Sequence, residues 1–436
     1  MKDIKLALMM FALWMLAGCQ STQSLHTAKA LNELEVSLQQ ANYTQVQAIA
    51  EKAQQGDAKA QFEMGYLSII EAFPENTYLD AFDWIMASAQ QGYAHAQYYA
   101  GLFYLDDEIA PPDLTSAQYW LELAAAQQHT PAMYELATLY SYFRPQMGLP
   151  MDSEKTIYWL KQAAALNLVD AQYDLARFYL YGVHGLEKNH AQAMHWIAKL
   201  QQIQDPRGNY LLGLDHYLGL TQAVNEQAGL KYLHLSADQD YAPAQYDLAL
   251  HYFEHHEPQI AFNWATRAAQ SQDPDALLML GRFYFSGTSV EVDRAKALSL
   301  FHQAADLGLP EAQTLVVLFD LENAKTSEQK RAAVERLRQQ AKAHNPHAQE
   351  EMMLLYFTQD PKHASDAEQF VSLEHAFMWA VILKQHPDFS EMSERSRQKL
   401  TAAIKRFNRQ ITLSRIATLI DTANICVISN YQKCPL

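Results

Sequence analysis

A chain of 436 residues with 33 basic and 49 acidic side chains carries a net charge of −16, which argues against nucleic acid or an anionic membrane surface as its main partner, since both need a basic footprint. With 49 % apolar and 19 % charged residues it is not a disordered chain, and 15 Gly and 15 Pro leave little for the many turns of an all-β fold. Three cysteines cannot build a dense disulfide framework.

The chain opens on a targeting pattern. Lys2 and Lys5 form a short basic start, Leu6 to Ala17 form an apolar stretch, and small residues come next. That stretch is shorter than the ~20 residues a spanning helix needs. Leu16-Ala17-Gly18-Cys19 resembles the lipobox of bacterial lipoproteins. The resemblance implies removal of residues 1–18, lipidation of Cys19 and permanent membrane attachment. Gln20 stands where an Asp would imply retention at the inner membrane, so the expected location is the outer membrane, facing the periplasm. Residues 19–42 then read as a linker, and Tyr43 to Gln55 as an N-terminal cap helix.

From there a period near 36 residues governs the chain, and such a period sets architecture before any local reading does. An Ala-Gln pair recurs at Ala60-Gln61, Ala96-Gln97, Ala171-Gln172, Ala244-Gln245, Ala312-Gln313 and Ala348-Gln349, with Ala132, Gly208 and Ala276 completing nine anchors. Twelve residues before an anchor stands a large side chain: Trp84, Trp120, Trp159, Trp196, Tyr232, Trp264 or Leu300. Small residues recur seven before it (Ala53, Ala89, Ala125, Ala164) and five after it (Gly65, Gly101, Ala137, Ala176, Gly213, Gly281), as close helix approach requires. Apolar residues at +2, +4, +7 and +8 have the 3.6-residue period of a helix. Gly56, Gly92, Asn167 and Gly308, four before their anchors, fit left-handed helix ends. Each unit is therefore expected to be a helix hairpin, with Trp159 and its equivalents in the core.

These positions resemble the Sel-1-like repeat, a relative of the tetratricopeptide repeat, most closely from Ala171-Gln172 through Trp196 and from Ala276 through Ala305. The resemblance implies an all-α fold, a right-handed α-solenoid of stacked helix hairpins with about nine repeats over 43–380, and a concave face that binds other proteins. Val317 and Met353 depart from the small position at +5, and the ninth unit is stretched between Ala348 and Trp379. Residues 381–436 fall outside the period and are expected to form a C-terminal helical cap and tail. Ser390 to Leu413, basic for this chain, reads as one amphipathic helix or two. Cys426 and Cys434 are free to pair in an oxidising periplasm.

Catalytic motifs are not evident. Ser327–Lys330 and Ser396–Lys399 match Ser-x-x-Lys without the companion Lys-Thr-Gly, and Thr326 with Gln329 reads as a helix capping box. His251 and His255 are four apart, but His255 and His256 fall in a tight link before Pro258, so no metal or cofactor is expected. At +7, where other units carry Leu67, Phe103, Leu139, Phe178, Phe283, Phe319 and Leu355, two units carry Asp215 and His251. The repeat offset pairs them, either as a hydrogen-bonded pair standing in for two aromatics in the packing or, with Tyr252, as the polar floor of a candidate ligand groove on the concave face. The expected function is a non-enzymatic scaffold binding a protein partner along the concave face, as similar lipoproteins do in exopolysaccharide export and other envelope assemblies. The alternatives are a glycan- or small-ligand-binding module and, less favoured, a β-lactam-processing enzyme.

Overall fold

A computed structural model describes residues 33–41, 43–70, 78–106, 112–144, 148–357, 373–386, 397–398, 400–401, 404–405 and 413–428. Among these every regular element is helical. A short helix Glu33–Gln39 and the expected cap helix Tyr43–Gln54 come first. Hairpins come next, in which first and second helices alternate: Ala58–Ile69 with Tyr78–Gln90, Ala94–Phe103 with Leu114–Ala126, Thr130–Thr138 with Ser153–Ala165, Val169–Tyr181 with His190–Gln202, and Pro206–Leu218 with Glu226–Ala237. The series continues with Ala242–Glu254 and Pro258–Gln270, Pro274–Ser286 and Arg294–Asp306, Pro310–Asn323 and Ser327–Lys342, and Pro346–Phe357 and Leu373–Lys384. Within residues 33–239 and within residues 240–428 neighbouring helices pack in sequence order, as in a helix-hairpin solenoid. The described residues divide into two compact units, one ending at Gln239 and the other beginning at Asp240.

The recurring sequence positions now have physical reasons. Five of the six anchor glutamines donate their amide to the backbone carbonyl eight residues earlier, Gln61 to Ala53, Gln97 to Ala89, Gln172 to Ala164, Gln313 to Ala305 and Gln349 to Ala341, at 3.0–3.4 Å, whereas Gln245 donates to Asp240 Oδ1 at 3.3 Å. Those carbonyls belong to the small residues at −7, so in these five units the pair clamps the first helix to the helix before it. A buried amide left without such an acceptor would be unfavourable. Two of the glutamines also accept, Gln61 from Gln91 and Gln97 from Gln127, at 2.7 and 2.8 Å. At −4 the backbone is left-handed in all nine units, through Gly56, Gly92 and Gly308 but also Gln128, Asn167, Gln204, Asp240, Gln272 and His344. One residue on, at −3, Asp57, His129, Asp205, Asp273 and Asn345 cap the next first helix. The capping box of Thr326 and Gln329 is formed.

The expected role of the large residues at −12 needs correction. Trp84, Trp120, Trp159, Trp196 and Trp264 are half-buried at the edge of the packing. The core position is the next residue, at −11: Ile85, Leu121, Leu160, Ile197, Leu233 and Phe301 are at most 4 % exposed. These side chains press on the small residue at +5. A Cβ added at Gly65 would meet Ile85 at 2.7 Å, and one at Gly101 would meet Leu121 at 2.6 Å. A second-helix aliphatic, not the indole beside it, therefore explains the glycine. Val317 and Met353, the exceptions at +5, are themselves buried.

At the C-terminal end Trp379 is the largest fully buried side chain and packs with Met352, Met353 and Leu383. A helix Leu413–Ile428, which sequence periodicity did not single out, packs on Leu373–Lys384. It carries Cys426, fully buried and disulfide-bonded. Cys19, Cys434, the targeting segment and most of the basic stretch Ser390 to Leu413 lie outside the described residues. Among the described residues no helix is long and apolar enough to cross a membrane.

Candidate binding surfaces

Asp215 is fully buried, and its carboxylate is satisfied inside its own unit. Its Oδ1 accepts from the Thr221 backbone N–H at 2.8 Å and from the Thr221 hydroxyl at 2.9 Å, and its Oδ2 accepts from Gln222 Nε2 at 2.7 Å. His190 Nδ1 lies 3.5 Å from Oδ2 and 2.8 Å from the Thr221 hydroxyl oxygen. The expectation that this carboxylate needs His251 is corrected: the left-handed Gly219 turns the chain back so that the loop after it supplies the donors. Asp215 thus pins a loop rather than flooring a groove. His251 and Tyr252 belong to the second unit, where their rings meet edge to face at 5.2 Å.

The side chains that do form polar surfaces stand at −1, +2, +3 and +6 of the first helices; of these the repeat pattern marks only +2, and as an apolar position. In the first unit, Tyr134 donates to Asp174 Oδ2 at 2.7 Å, and Arg177 Nε lies 3.9 Å from Asp174. Arg207 donates to Asp170 at 2.7 Å and to Asp205 at 2.8 Å. Both guanidiniums lie over the Tyr173 ring, at 5.2 Å for Arg177 and 5.1 Å for Arg207. Burial works against the Arg177 charge, yet the Asp174 carboxylate and Tyr173 outweigh it and raise its pKa above the ordinary value. Burial, followed by the Asp174 charge, raises the Tyr134 phenol well above its usual range.

The second unit uses equivalent positions differently. Asp247 at +3 of one first helix, Asp273 and Asp275 at −3 and −1 of the next, and Glu311 at −1 of the third are accompanied by Arg282 at +6, which pairs with Glu311. Burial, then the Asp273 and Glu311 charges, raise the Asp275 carboxyl to about 7 against the pull of Arg282. Burial, then Asp275 and Asp247, raise the Tyr246 phenol. A third cluster lies nearer the start of the chain. There Phe62, Tyr93, Tyr99 and His95 pack ring to ring, and His129 Nε2 stands 3.0 Å from His95 Nδ1. His129 Nδ1 accepts from the Ala132 N–H, so that nitrogen carries no proton and the ring is neutral; burial, then His95, lower its pKa to about 3.

The family model for the Sel1 repeat matches residues 94–129, 130–168, 169–200, 206–241, 242–273 and 274–309. Six Sel1 repeats thus make up the middle of the chain. The hairpins on either side of the matched stretch keep the glutamine clamp and the left-handed −4 residue. Among solved structures it is similar to a Sel1 repeat protein from Oxalobacter formigenes, at 24 % identity and a TM-score of 0.47 over 78 % of this chain and 98 % of that one. It is also similar to a protective antigen of uropathogenic Escherichia coli strains, at 20 % identity and a TM-score of 0.36 over 88 % and 95 %. An uncharacterized protein of Neisseria meningitidis serogroup B is 32 % identical over 106 residues, 24 % of this chain; the match spans 22 % of that relative's length.

Proposed function

We propose that this chain is a periplasm-facing scaffold, anchored to the outer membrane through a lipidated Cys19, that holds a protein partner on the first-helix faces of its repeats within an envelope or exopolysaccharide-export assembly. Sel1 repeats typically mediate protein–protein interaction. The observation that carries the reading further is the recurrence of tyrosine, arginine and carboxylate side chains at −1, +2, +3 and +6 on a lattice fixed by backbone clamps. Tyrosine and arginine are the residue types that dominate interface energetics. The acidic face around Asp275 and Glu311 suits a basic partner segment. A non-catalytic role fits the family and is part of the proposal.

A pull-down from detergent-solubilised envelopes tests the binding role. Wild-type bait is expected to enrich a protein that the Arg282→Glu/Glu311→Arg exchange, which keeps the ion pair but reverses its direction, no longer recovers. Equal recovery by both baits counts against this face. For the anchor, Cys19→Ser is expected to leave the precursor uncleaved or to release it from outer-membrane fractions; unchanged fractionation sinks the anchor. A glycan-binding role is favoured by Tyr119 and Tyr158, 57 % and 53 % exposed and each edge-on to a neighbouring indole. Its test is loss of glycan binding in Tyr119→Ala/Tyr158→Ala.

A further inference from the structure

The Ala244 repeat places a histidine where every repeat but it and the Gly208 repeat carries a Leu or Phe, and His251 is only 6 % exposed. One helical turn on, at the end of helix Ala242–Glu254, the ring of His255 lies 4.0 Å from it, centroid to centroid. Side chains four apart on a helix are neighbours. His255 Nδ1 is 2.8 Å from the His251 carbonyl oxygen. In the neutral ring this contact needs the proton on Nδ1, which donates, and assigns the lone pair to Nε2. Such a hydrogen bond from one ring nitrogen to a backbone carbonyl is how metal-bound histidines are commonly oriented. The two residues each offer one ring nitrogen, and these atoms lie within 4.8 Å of each other.

We propose that His251 and His255 form a two-histidine site for a divalent transition-metal cation of the zinc type, with water completing its coordination. Imidazole pairs suit Zn²⁺, whereas Mg²⁺ and Ca²⁺ prefer oxygen donors. The segment His251 to His255 also has the His-x-x-Glu-His spacing in which two histidines one turn apart hold zinc; the inference concerns binding and includes no hydrolytic step. A cation here ties the last turn of the helix to its cap residue, just before the short link to helix Pro258–Gln270. The site therefore acts as a staple, and bound metal raises stability by mass action.

The test is titration of zinc chloride into the tag-free full chain by calorimetry, with the melting temperature monitored by circular dichroism. One equivalent is expected to bind and to raise Tm. Both His255→Ala and His251→Phe are expected to weaken that binding about tenfold or more and to abolish the rise in Tm. His255 is exposed, and phenylalanine is what Phe103, Phe178 and Phe283 supply at the His251 position, so both variants keep the packing. His256→Asn, which accepts the left-handed backbone there, is expected to bind as wild type does. Absence of zinc binding, wild-type affinity in either His251 or His255 variant, or an equal loss in His256→Asn overturns the proposal.

Discussion

The arginines at +6, Arg177 in the first unit and Arg282 in the second, occupy the same place in their repeats and live in different surroundings. Arg177 lies against the Tyr173 ring and beside Asp174, and the two side chains of that ion pair are 12 % and 17 % exposed. Arg282 is 56 % exposed and meets Glu311 at the surface. The −1 residue of the next repeat also differs, being Arg207 in one case and Glu311 in the other. In the first unit Arg207 adds a second cation and bonds Asp170 and Asp205, leaving charges nearly balanced. In the second, Glu311 adds to Asp247, Asp273 and Asp275, and the surplus of carboxylates helps burial push Asp275 up to about 7. A repeat lattice thus fixes where a functional side chain stands, while burial and the carboxylates around it, from its own repeat and the next, set its charge state.

The largest effect that sharpens this contrast is expected from truncating the two arginines. Arg177→Ala leaves a largely buried carboxylate without its cation and should destabilise the first unit by about 3 kcal/mol, whereas Arg282→Ala should change the second by less than ~1 kcal/mol. Hydrogen exchange read region by region separates the two units without assuming that the chain unfolds in one step. Similar losses in both would erase the distinction.

Acidity should move the units in opposite directions. The folded His129 titrates near 3 against about 6.5 unfolded, so its contribution is present above pH ~6.5 and is lost progressively as pH falls toward 3. The folded Asp275 titrates near 7 against about 3.9 unfolded, so its contribution is full below pH ~4 and is lost as pH rises through 7. His129→Asn, which keeps a capping acceptor, should flatten the first profile, and Asp275→Asn the second. Parallel pH profiles for the two units would break the comparison. The smallest effect is expected where the units agree: Gln128→Gly and Gln272→Gly, both at left-handed −4 positions, should each stabilise by ~0.5–1 kcal/mol, measured as matching shifts of local exchange protection.

Much of the fold was legible because its rules are local. The glutamine clamp joins residues eight apart, the −4 residue needs only a tolerated backbone, and the Thr326 box lies within four residues. The indoles misled because they are conspicuous, while their plainer neighbours, such as Leu121 and Leu160, fill the core. Asp215 misled for another reason. Its partners are six and seven residues ahead, reached through the Gly219 turn, and a one-repeat offset does not reveal them. The polar surfaces escaped because a carboxylate at −1 or +3 gains meaning only when the cation or acid of the adjoining repeat is set beside it, as Arg207 shows with Asp170.

The clamp has an evolutionary corollary. Gln172 and its counterparts recognise a main-chain oxygen, a group every residue supplies, so the clamp asks of the preceding hairpin only that its −7 residue be small. Hairpins that keep the glutamine and the small residue at −7 are interchangeable parts. Unequal recombination between them deletes or duplicates a whole unit and reforms the joint at once, so such a gene can lengthen, shorten or shuffle its recognition residues without passing through an unfoldable intermediate.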